Sequence, residues 1–349
     1  MAKTSDAQSN SSKKALERLR SRRSKKLEAT DLIDRIKTGD STALSEAITL
    51  IESTHSKHQK IAQEVISGCI DNSGESVRLG ITGVPGVGKS TFIESFGLHL
   101  IEKGHRVAVL AIDPTSQRSR GSILGDKTRM YGLTQNPDAF VRPSPAADAL
   151  GGVARKTRES IVLCEAAGFD RIIIETVGVG QSETAVHSMV DFFLLLMLAG
   201  AGDELQGIKR GIMEMADTIV INKADGENVK AAQKASREYK NAVHLFPPNP
   251  SGWEPKVLTC SALKKEGLPE IHETIEEHTS EMKSLGLFLK KRQQQDINWM
   301  HDTILSELKR NFYNNPDSKA AVLRLEEKVK SGEITPFMAA QKALGINED

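Results

Sequence analysis

The chain has 349 residues, of which 38% are hydrophobic and 27% are charged, and its formal net charge is +1. This length is sufficient for a full α/β core with helical additions, and the balanced charge gives no indication of a nucleic-acid or membrane partner. The longest apolar run, residues 192–199, is far too short to span a bilayer, so we expect a soluble protein. The three cysteines are scattered, which argues against disulfides or a cysteine zinc site and fits the reducing cytoplasm.

The first 72 residues contain a basic segment followed by a helical one. Residues 1–27 are rich in Ser, Lys and Arg, and no apolar stretch follows, so they are not a secretory signal. We predict a disordered basic tail or a frayed helix; the alternative is an organelle transit peptide, which would place the protein in the mitochondrial matrix. Residues 28–72 have helical spacing, with Leu32 and Ile36 on one face and Ser41 predicted to cap the next helix.

Residues 73–283 alternate between apolar strand-like runs and helical patterns. Strands are predicted at residues 77–81, 106–112, 171–174, 192–198, 218–221 and 256–258. Because most of these runs are continuously apolar, they indicate a mainly parallel sheet that is covered by helices on both faces. Ligands of such sheets gather at the carboxyl ends of the strands.

A phosphate-binding loop follows the first of these strands. The pattern G-x-x-x-x-G-K-[ST] is matched by Gly83, Val84, Pro85, Gly86, Val87, Gly88, Lys89, Ser90 and Thr91. The glycines let backbone amides turn toward a β-phosphate, Lys89 would reach the β- and γ-phosphates, and the Ser90 hydroxyl would bind Mg²⁺. The sequence therefore predicts an α/β fold of the P-loop NTPase class, with helical extensions at both ends.

A second motif indicates which base is bound. Asn222, Lys223 and Asp225 form N-K-x-D directly after an apolar strand. The aspartate can accept hydrogen bonds from N1-H and the 2-amino group of guanine, whereas adenine has no 2-amino group. After the last strand, the backbone of Ser261, Ala262 and Leu263 is placed to contact the guanine oxygen. GTP is therefore predicted as the nucleotide.

Carboxylates at strand ends between the two motifs are candidate Mg²⁺ ligands beside Ser90. Glu175 follows the strand at residues 171–174, Asp113 follows the strand at 106–112, and Asp126 lies in the next loop. Considered alone, Asp126 is more typical of an ordinary turn than of a metal ligand, because aspartate favours such loops. The sequence predicts a magnesium shell drawn from these groups.

Residues 284–349 have an all-helical pattern. Ile297, Met300, Ile304, Leu308 and Phe312 form one apolar stripe, and a helix is predicted to begin at Thr335-Pro336 and to end at Gly345. From the pattern alone, the stripe either packs within the chain or forms a dimer interface.

Three longer segments resemble the MeaB/MMAA/ArgK-type GTPases, which are chaperones of adenosylcobalamin-dependent acyl-CoA mutases. The segments are GSILGDKTRM at 121–130, ETVGVGQSE at 175–183 and GDELQGIKRG at 202–211. The resemblance implies three switches, at residues 113–130, 175–187 and 198–209, with Lys209 close to the base, and a homodimer formed by the C-terminal helices. One departure is Arg120, where the family usually has a glycine; its side chain reduces loop freedom and adds charge near the phosphates.

The resemblance also implies a mechanism. GTP and Mg²⁺ order the switches, hydrolysis releases them, and the mutase partner responds, so that cofactor loading is gated and the mutase is protected. Lys89 would act in hydrolysis, and Gln181 either orients the attacking water or is simply a polar switch residue. Two alternatives are a nickel-delivery GTPase, for which His55 and His58 are the nearest candidate ligands, and a kinase or ATPase assisting amino-acid transport.

Overall fold

The computed structural model describes residues 29–112, 130–143, 150–176, 182–200, 210–247 and 249–345. The chain divides into two compact units, Met1–Glu281 and Met282–Asp349. The first unit contains the sheet and the predicted nucleotide motifs, and the second is helical where it is described.

Three helices precede the sheet, as the apolar spacing predicts. They are α1 (Ala29–Lys37), α2 (Ser41–Glu52) and α3 (Ser56–Cys69). Leu32 and Ile36 of α1 are fully buried. The prediction for the cap of α2 is wrong: Asp40, not Ser41, is the capping residue, because its Oδ1 accepts from the N–H groups of Thr42 (2.8 Å) and Ala43 (3.2 Å). Ser41 is the first residue inside the helix.

The described part of the first unit contains one parallel sheet. Its seven strands are β1 (Val77–Gly83), β2 (Val107–Ile112), β3 (Ala139–Pro143), β4 (Arg171–Thr176), β5 (Phe192–Leu198), β6 (Thr218–Asn222) and β7 (Lys256–Thr259). The spatial order is β3-β2-β4-β1-β5-β6-β7, and every pairing is parallel. The order reverses direction at β1, and a ligand crevice is expected at the carboxyl end of such a strand.

Helices cover both faces of this sheet. Those of the first unit that follow β1 are α4 (Lys89–Glu102), α5 (Tyr131–Gln135), α6 (Leu150–Ala166), α7 (Ser182–His187), α8 (Arg210–Met215), α9 (Val229–Val243) and α10 (Leu268–Ser284), the last of which ends in the second unit. In β2, Ala108 and Leu110 join the core beneath α1–α3 and α6, whereas Val107 and Val109 join the core beneath α4 and α10. Burial on both faces explains the continuous apolar runs that predicted these strands.

The second unit contains three further helices. They are α11 (Leu287–Asn314), α12 (Pro316–Lys330) and α13 (Pro336–Leu344). As predicted, Thr335 caps α13, with its side chain accepting from Met338 N–H, and Gly345 ends it in a left-handed conformation at φ 69°. On α11, four residues of the predicted stripe are exposed, namely Ile297 (48%), Met300 (53%), Ile304 (47%) and Leu308 (61%). No described helix is long and apolar enough to cross a membrane.

Candidate functional site

The predicted phosphate loop connects the carboxyl end of β1 to the amino end of α4. Gly83, the last residue of β1, lies so close to β5 that an added Cβ would meet the Leu196 carbonyl oxygen at 2.5 Å. Gly86 and Gly88 have φ angles of 77° and 89°, which residues with side chains rarely adopt. Around Gly86, an added Cβ would find no neighbouring atom within 4 Å. The loop is therefore shaped by its glycines and open on the side where a phosphate would approach.

Lys89 lies on the first turn of α4 and folds back over this loop. Its Nζ donates to the carbonyl oxygens of Gly83 (2.9 Å) and Val84 (3.4 Å). Burial lowers the pKa of Lys89, while the carboxylates of Glu175 and Glu183 oppose that change. The ammonium group thus stands in a desolvated position where an added phosphate charge would favour its protonated form.

Ser90 and Glu175, two of the predicted metal ligands, lie next to each other. The Ser90 hydroxyl donates to Glu175 Oε1 at 3.3 Å, although the two residues are 85 positions apart. They come together because Glu175 lies on β4, which pairs with β1. Below them, the buried Thr176 hydroxyl donates to the Thr82 hydroxyl at 2.8 Å and links the two strands. One hydroxyl and one carboxylate oxygen are hard ligands of the kind that Mg²⁺ prefers, so this pair fits the ion.

Asn222 joins the phosphate loop to the predicted base site. It is buried at the end of β6, and its Nδ2 donates to the Val87 carbonyl oxygen at 2.8 Å. Its Oδ1 accepts from the Ala262 N–H at 3.1 Å and from the Cys260 thiol at 3.4 Å. Burial raises the pKa of Cys260 to about 12, so the thiol keeps the proton that it donates. One side-chain amide therefore connects three segments of the site.

Asp225 is held by the segment that follows β7. The Ser261 hydroxyl donates to Asp225 Oδ2 and also accepts from the Lys264 N–H. Lys223 has a positive φ of 59°, and its Nζ donates to the Gly86 carbonyl oxygen at 2.9 Å. A hydrogen bond of 2.7 Å from Ser95 of α4 to the Ala262 carbonyl oxygen fixes the same segment. The base motif and the phosphate loop thus form one connected framework.

The structure brings most of the predicted site residues to one edge of the sheet. Gly83, Val84, Pro85, Gly86, Val87, Gly88, Lys89, Ser90, Thr91, Glu175, Asn222, Lys223, Asp225, Ser261, Ala262 and Leu263 follow or end strands there, or begin α4. Asp113, Asp126, Gln181 and Lys209 lie outside the described residues, so their predicted roles stay predictions. Sequence reasoning missed Cys260 and the Thr82–Thr176 pair, because their contacts form only when strands assemble.

His55 and His58 lie at the junction of α2 and α3. His55 caps α3 by accepting from the Lys57 N–H at 3.3 Å, and His58 Nδ1 lies 2.9 Å from the Ser53 hydroxyl. Both histidines are exposed. In the structure they are residues of a helix junction.

Comparison with known proteins identifies relatives along most of the chain. A probable GTPase of Mycobacterium tuberculosis is 51% identical over 311 residues, which cover 89% of this chain and 93% of that protein. The GTPase ArgK of Escherichia coli is 44% identical over 304 residues, or 87% of this chain and 92% of that protein. The mitochondrial methylmalonic aciduria type A homologue of mouse is 45% identical over 326 residues, or 89% of this chain and 79% of that protein.

A solved structure and a family match complete the comparison. The crystal structure of an LAO/AO transport system kinase superposes with a TM-score of 0.73 at 37% identity, covering 91% of this chain and 96% of that one. Residues 44–317 match the family described as methylmalonyl-CoA mutase-associated GTPase MeaB. The relatives of 51% and 44% identity are matched over almost their whole length, and both are named GTPases. These names agree with the phosphate loop and the guanine motif of this chain. The chain therefore belongs to the MeaB family of methylmalonyl-CoA mutase-associated GTPases.

Proposed function

We propose that this protein is a GTP-hydrolysing chaperone of an adenosylcobalamin-dependent acyl-CoA mutase, most specifically methylmalonyl-CoA mutase. The observation that carries the partner assignment is the family match over residues 44–317, whose description names that mutase. The mouse relative, named for methylmalonic aciduria, supports the same assignment. In this proposal the protein gates cofactor loading and protects the mutase from inactivation.

The geometry of the phosphate loop supports the hydrolysis step. The amides of residues 83–91 and the amino end of α4 would hold the phosphates, and the Lys89 ammonium would balance charge on the β- and γ-phosphates. Ser90 and Glu175 would hold Mg²⁺, which supplies further charge neutralisation when bound. Phosphoryl transfer depends mainly on such positioning and charge stabilisation, so a protein nucleophile is not required.

Guanine recognition supports GTP rather than ATP. The Ser261 hydroxyl occupies Asp225 Oδ2, and a carboxylate has about four acceptor positions in all, so acceptors remain for N1-H and the 2-amino group of the base. Adenine presents no matching pair of donors. This feature favours the chaperone over the alternative of a kinase or ATPase assisting amino-acid transport, although one relative of known structure is named a transport system kinase. ATP binding as tight as GTP binding in a calorimetric competition would reverse that preference.

Coupling to the mutase is assigned to the three switch segments at residues 113–130, 175–187 and 198–209. In GTPases generally, contacts to the γ-phosphate and Mg²⁺ order such segments, and hydrolysis releases them. The mutase would respond differently to the ordered and the released switch segments. GTP hydrolysis would therefore set how long the complex of this protein with the mutase persists. We place the protein in the cytoplasm, with the mitochondrial matrix as the alternative suggested by the mitochondrial mouse relative.

The proposal is tested by capturing the partner from an extract. The full-length protein is immobilised with a nonhydrolysable GTP analogue or with GDP, and retained proteins are identified by mass spectrometry. We expect an adenosylcobalamin-dependent mutase in the GTP-analogue sample at several times its level with GDP. A Lys89→Ala variant, which lacks the phosphate-binding ammonium, should lose this nucleotide dependence.

A kinetic measurement provides the second half of the test. The rate of GTP hydrolysis is measured alone and with the purified mutase, which should accelerate it. Equal rates with and without the mutase, together with no mutase captured in either nucleotide state, would refute the proposed function.

A further inference from the structure

A cluster of histidines lies at the end of the sheet opposite the nucleotide site. His105 precedes the first residue of β2 by two positions, and Asp170 directly precedes β4. The amino ends of parallel strands share one edge, and a strand of six residues spans about 20 Å. His272 and Glu276 of α10 and His99 of α4 complete this region. It is therefore separate from the phosphate loop, and the proposed function makes no use of it.

Three of these residues have the arrangement of a metal-binding group. A ring nitrogen of His105, a ring nitrogen of His272 and a carboxylate oxygen of Glu276 all lie within 4.8 Å of one another. His272 and Glu276 are four residues apart on α10, which places them on the same helix face, with His272 Nε2 and Glu276 Oε1 3.6 Å apart. Ligands of a tetrahedral zinc ion are separated by about 3.4 Å, given bonds of 2.0–2.2 Å. Small side-chain rotations would bring the three ligand atoms to that spacing.

One ring nitrogen of His105 has the carboxylate partner that is common for metal-binding histidines. Its Nδ1 lies 2.7 Å from Asp170 Oδ2, and the other Asp170 oxygen accepts from the Arg106 N–H at 2.8 Å. With the proton on Nδ1, the lone pair of the imidazole is on Nε2. Metal-binding histidines commonly donate their second nitrogen to a carboxylate in this way, which fixes the ring and raises its basicity.

Two buried imidazole nitrogens in the same cluster are not satisfied within the described protein. His272 Nε2 and His99 Nε2 are both inaccessible to solvent and have no hydrogen-bond partner there. The ring of His272 packs edge-on against both other imidazoles, with centroids 5.4 Å from His99 and 5.7 Å from His105. Buried polar atoms of native proteins are nearly always satisfied, by protein, water or an ion. A metal bound to His272 would satisfy one of them directly.

The charges around the cluster are compatible with a cation. Arg171 donates to Glu276 Oε1 at 2.7 Å, which places one positive group beside the carboxylate. A carboxylate has about four acceptor positions, so this hydrogen bond leaves others for a metal. Glu276 and Asp170 together bring two negative charges to the cluster. Neutral imidazole nitrogens with one carboxylate oxygen form a donor set suited to Zn²⁺ and its neighbours in the first transition row.

We propose that His105, His272 and Glu276 bind a divalent transition-metal ion of the zinc class at the amino edge of the sheet. The ion links the entry to β2 with α10. With three protein ligands, one coordination position remains for water or for His99 after a side-chain rotation.

The test is a zinc titration of the full-length, untagged protein. The protein is stripped of metals and saturated with Mg²⁺ and GDP, so that the nucleotide site does not contribute to zinc binding. Zinc binding is then measured by competition with a chromophoric chelator, and Co²⁺ absorption reports tetrahedral coordination. We expect one Zn²⁺ per chain. His105→Ala and His272→Ala should each weaken binding at least tenfold, since even the loss of an outer hydrogen-bond partner costs about 10- to 100-fold.

The double variant His55→Ala with His58→Ala is a matched control. It removes two exposed histidines whose ring centroids are 5.1 Å apart, and it should bind zinc as the wild type does. GDP binding reports that each variant is folded. If His272→Ala fails to fold, Glu276→Gln provides the second test, with weakened zinc binding and a changed Co²⁺ spectrum expected. The proposal is overturned if the wild type binds no zinc, if the cluster variants bind it unchanged, or if only the His55/His58 variant loses it.

Discussion

The side chain of Asn222 holds the phosphate loop and the segment after β7 together. Its amide donates to Val87 of the phosphate loop and accepts from Ala262 and Cys260, so both ends of the side chain are occupied. Because Asn222 is buried, removal of its amide would leave the Val87 carbonyl and the Ala262 N–H without this partner. The residue therefore positions the predicted base motif relative to the phosphate loop, and in the proposed function Asp225 reads the guanine.

The role of Asp225 can be tested by exchanging its acceptor for a donor. In Asp225→Asn, one carboxylate oxygen becomes an NH₂ group, which cannot accept from guanine but matches the 2-oxo group of xanthine. We expect GDP affinity to fall about 10²- to 10⁴-fold, because one charged hydrogen bond of about 1.5–3 kcal/mol is replaced by two donors that face each other and the other becomes a weaker neutral one. Xanthosine diphosphate should bind the Asp225→Asn variant more tightly than it binds the wild type. Calorimetric titration with both nucleotides measures the exchange.

Glu227→Gln is the matched control, because it changes an exposed carboxylate only two residues away. It should leave affinity for both nucleotides unchanged. An Asp225→Asn variant that binds GDP like the wild type would remove Asp225 from base recognition.

Among single residues, the sequence predicts those whose side-chain type and spacing the ligand requires. Lys89, Ser90 and Asp225 stand in motifs because phosphate, Mg²⁺ and guanine each demand a particular side chain at a particular spacing. Cys260 belongs to no such motif. In the sequence it resembles any small apolar residue, and only the structure shows that its thiol lies 3.4 Å from Asn222 Oδ1. Contacts across strands depend on register, which a motif does not encode.

At the scale of elements, the correction at α2 leads to a stability prediction. Asp40 accepts from two N–H groups at the start of this helix and also pairs with Arg35 at 2.8 Å. Asp40→Ala should lower the free energy of unfolding by about 1 kcal/mol, the usual contribution of a capping side chain. Asp40→Asn keeps an acceptor at the cap and should lose less. Urea denaturation followed by circular dichroism measures these differences.

Ser41→Ala separates the observed cap from the one predicted by sequence. Because Ser41 lies inside the helix, its loss should change stability by no more than about 0.5 kcal/mol. If Ser41→Ala proved as costly as Asp40→Ala, the assignment of the cap would be wrong.

Among the elements, strands were predicted well where both faces are buried. The run of β5, residues 192–198, is buried at six of seven positions and is recognisable from its apolar residues alone. The strand that the sequence did not predict is β3, which has five residues, lies at the edge of the sheet and ends in Pro143. An edge strand needs less apolar surface than a central one, so β3 lacks the continuous apolar run that predicts the other strands. Proline is tolerated at an edge, so Pro143 does not exclude a strand there.

At the scale of the whole molecule, the nucleotide site and the C-terminal helices lie in different compact units. Everything that touches phosphate or guanine in the proposed function belongs to the first unit. The second unit contributes α11 to α13, on which the stripe from Ile297 to Leu308 is about half exposed. An exposed apolar stripe of this kind indicates an interaction surface. The resemblance to dimeric GTPases of the same family makes a second copy of this chain the predicted occupant.

The homodimer is tested by placing charge in the middle of that stripe. Ile304→Asp with Leu308→Asp introduces two carboxylates one turn apart, each of which would be desolvated without a partner in an apolar interface. Sedimentation velocity should give the mass of two chains for the wild type and of one chain for this variant. Lys309→Glu is the control: it changes a charge on a different face of α11 and should leave the protein dimeric. Because the nucleotide site lies in the other unit, GDP affinity should be the same in all three proteins. A monomeric wild type, or a double variant that remains dimeric, would exclude this stripe as the dimer interface.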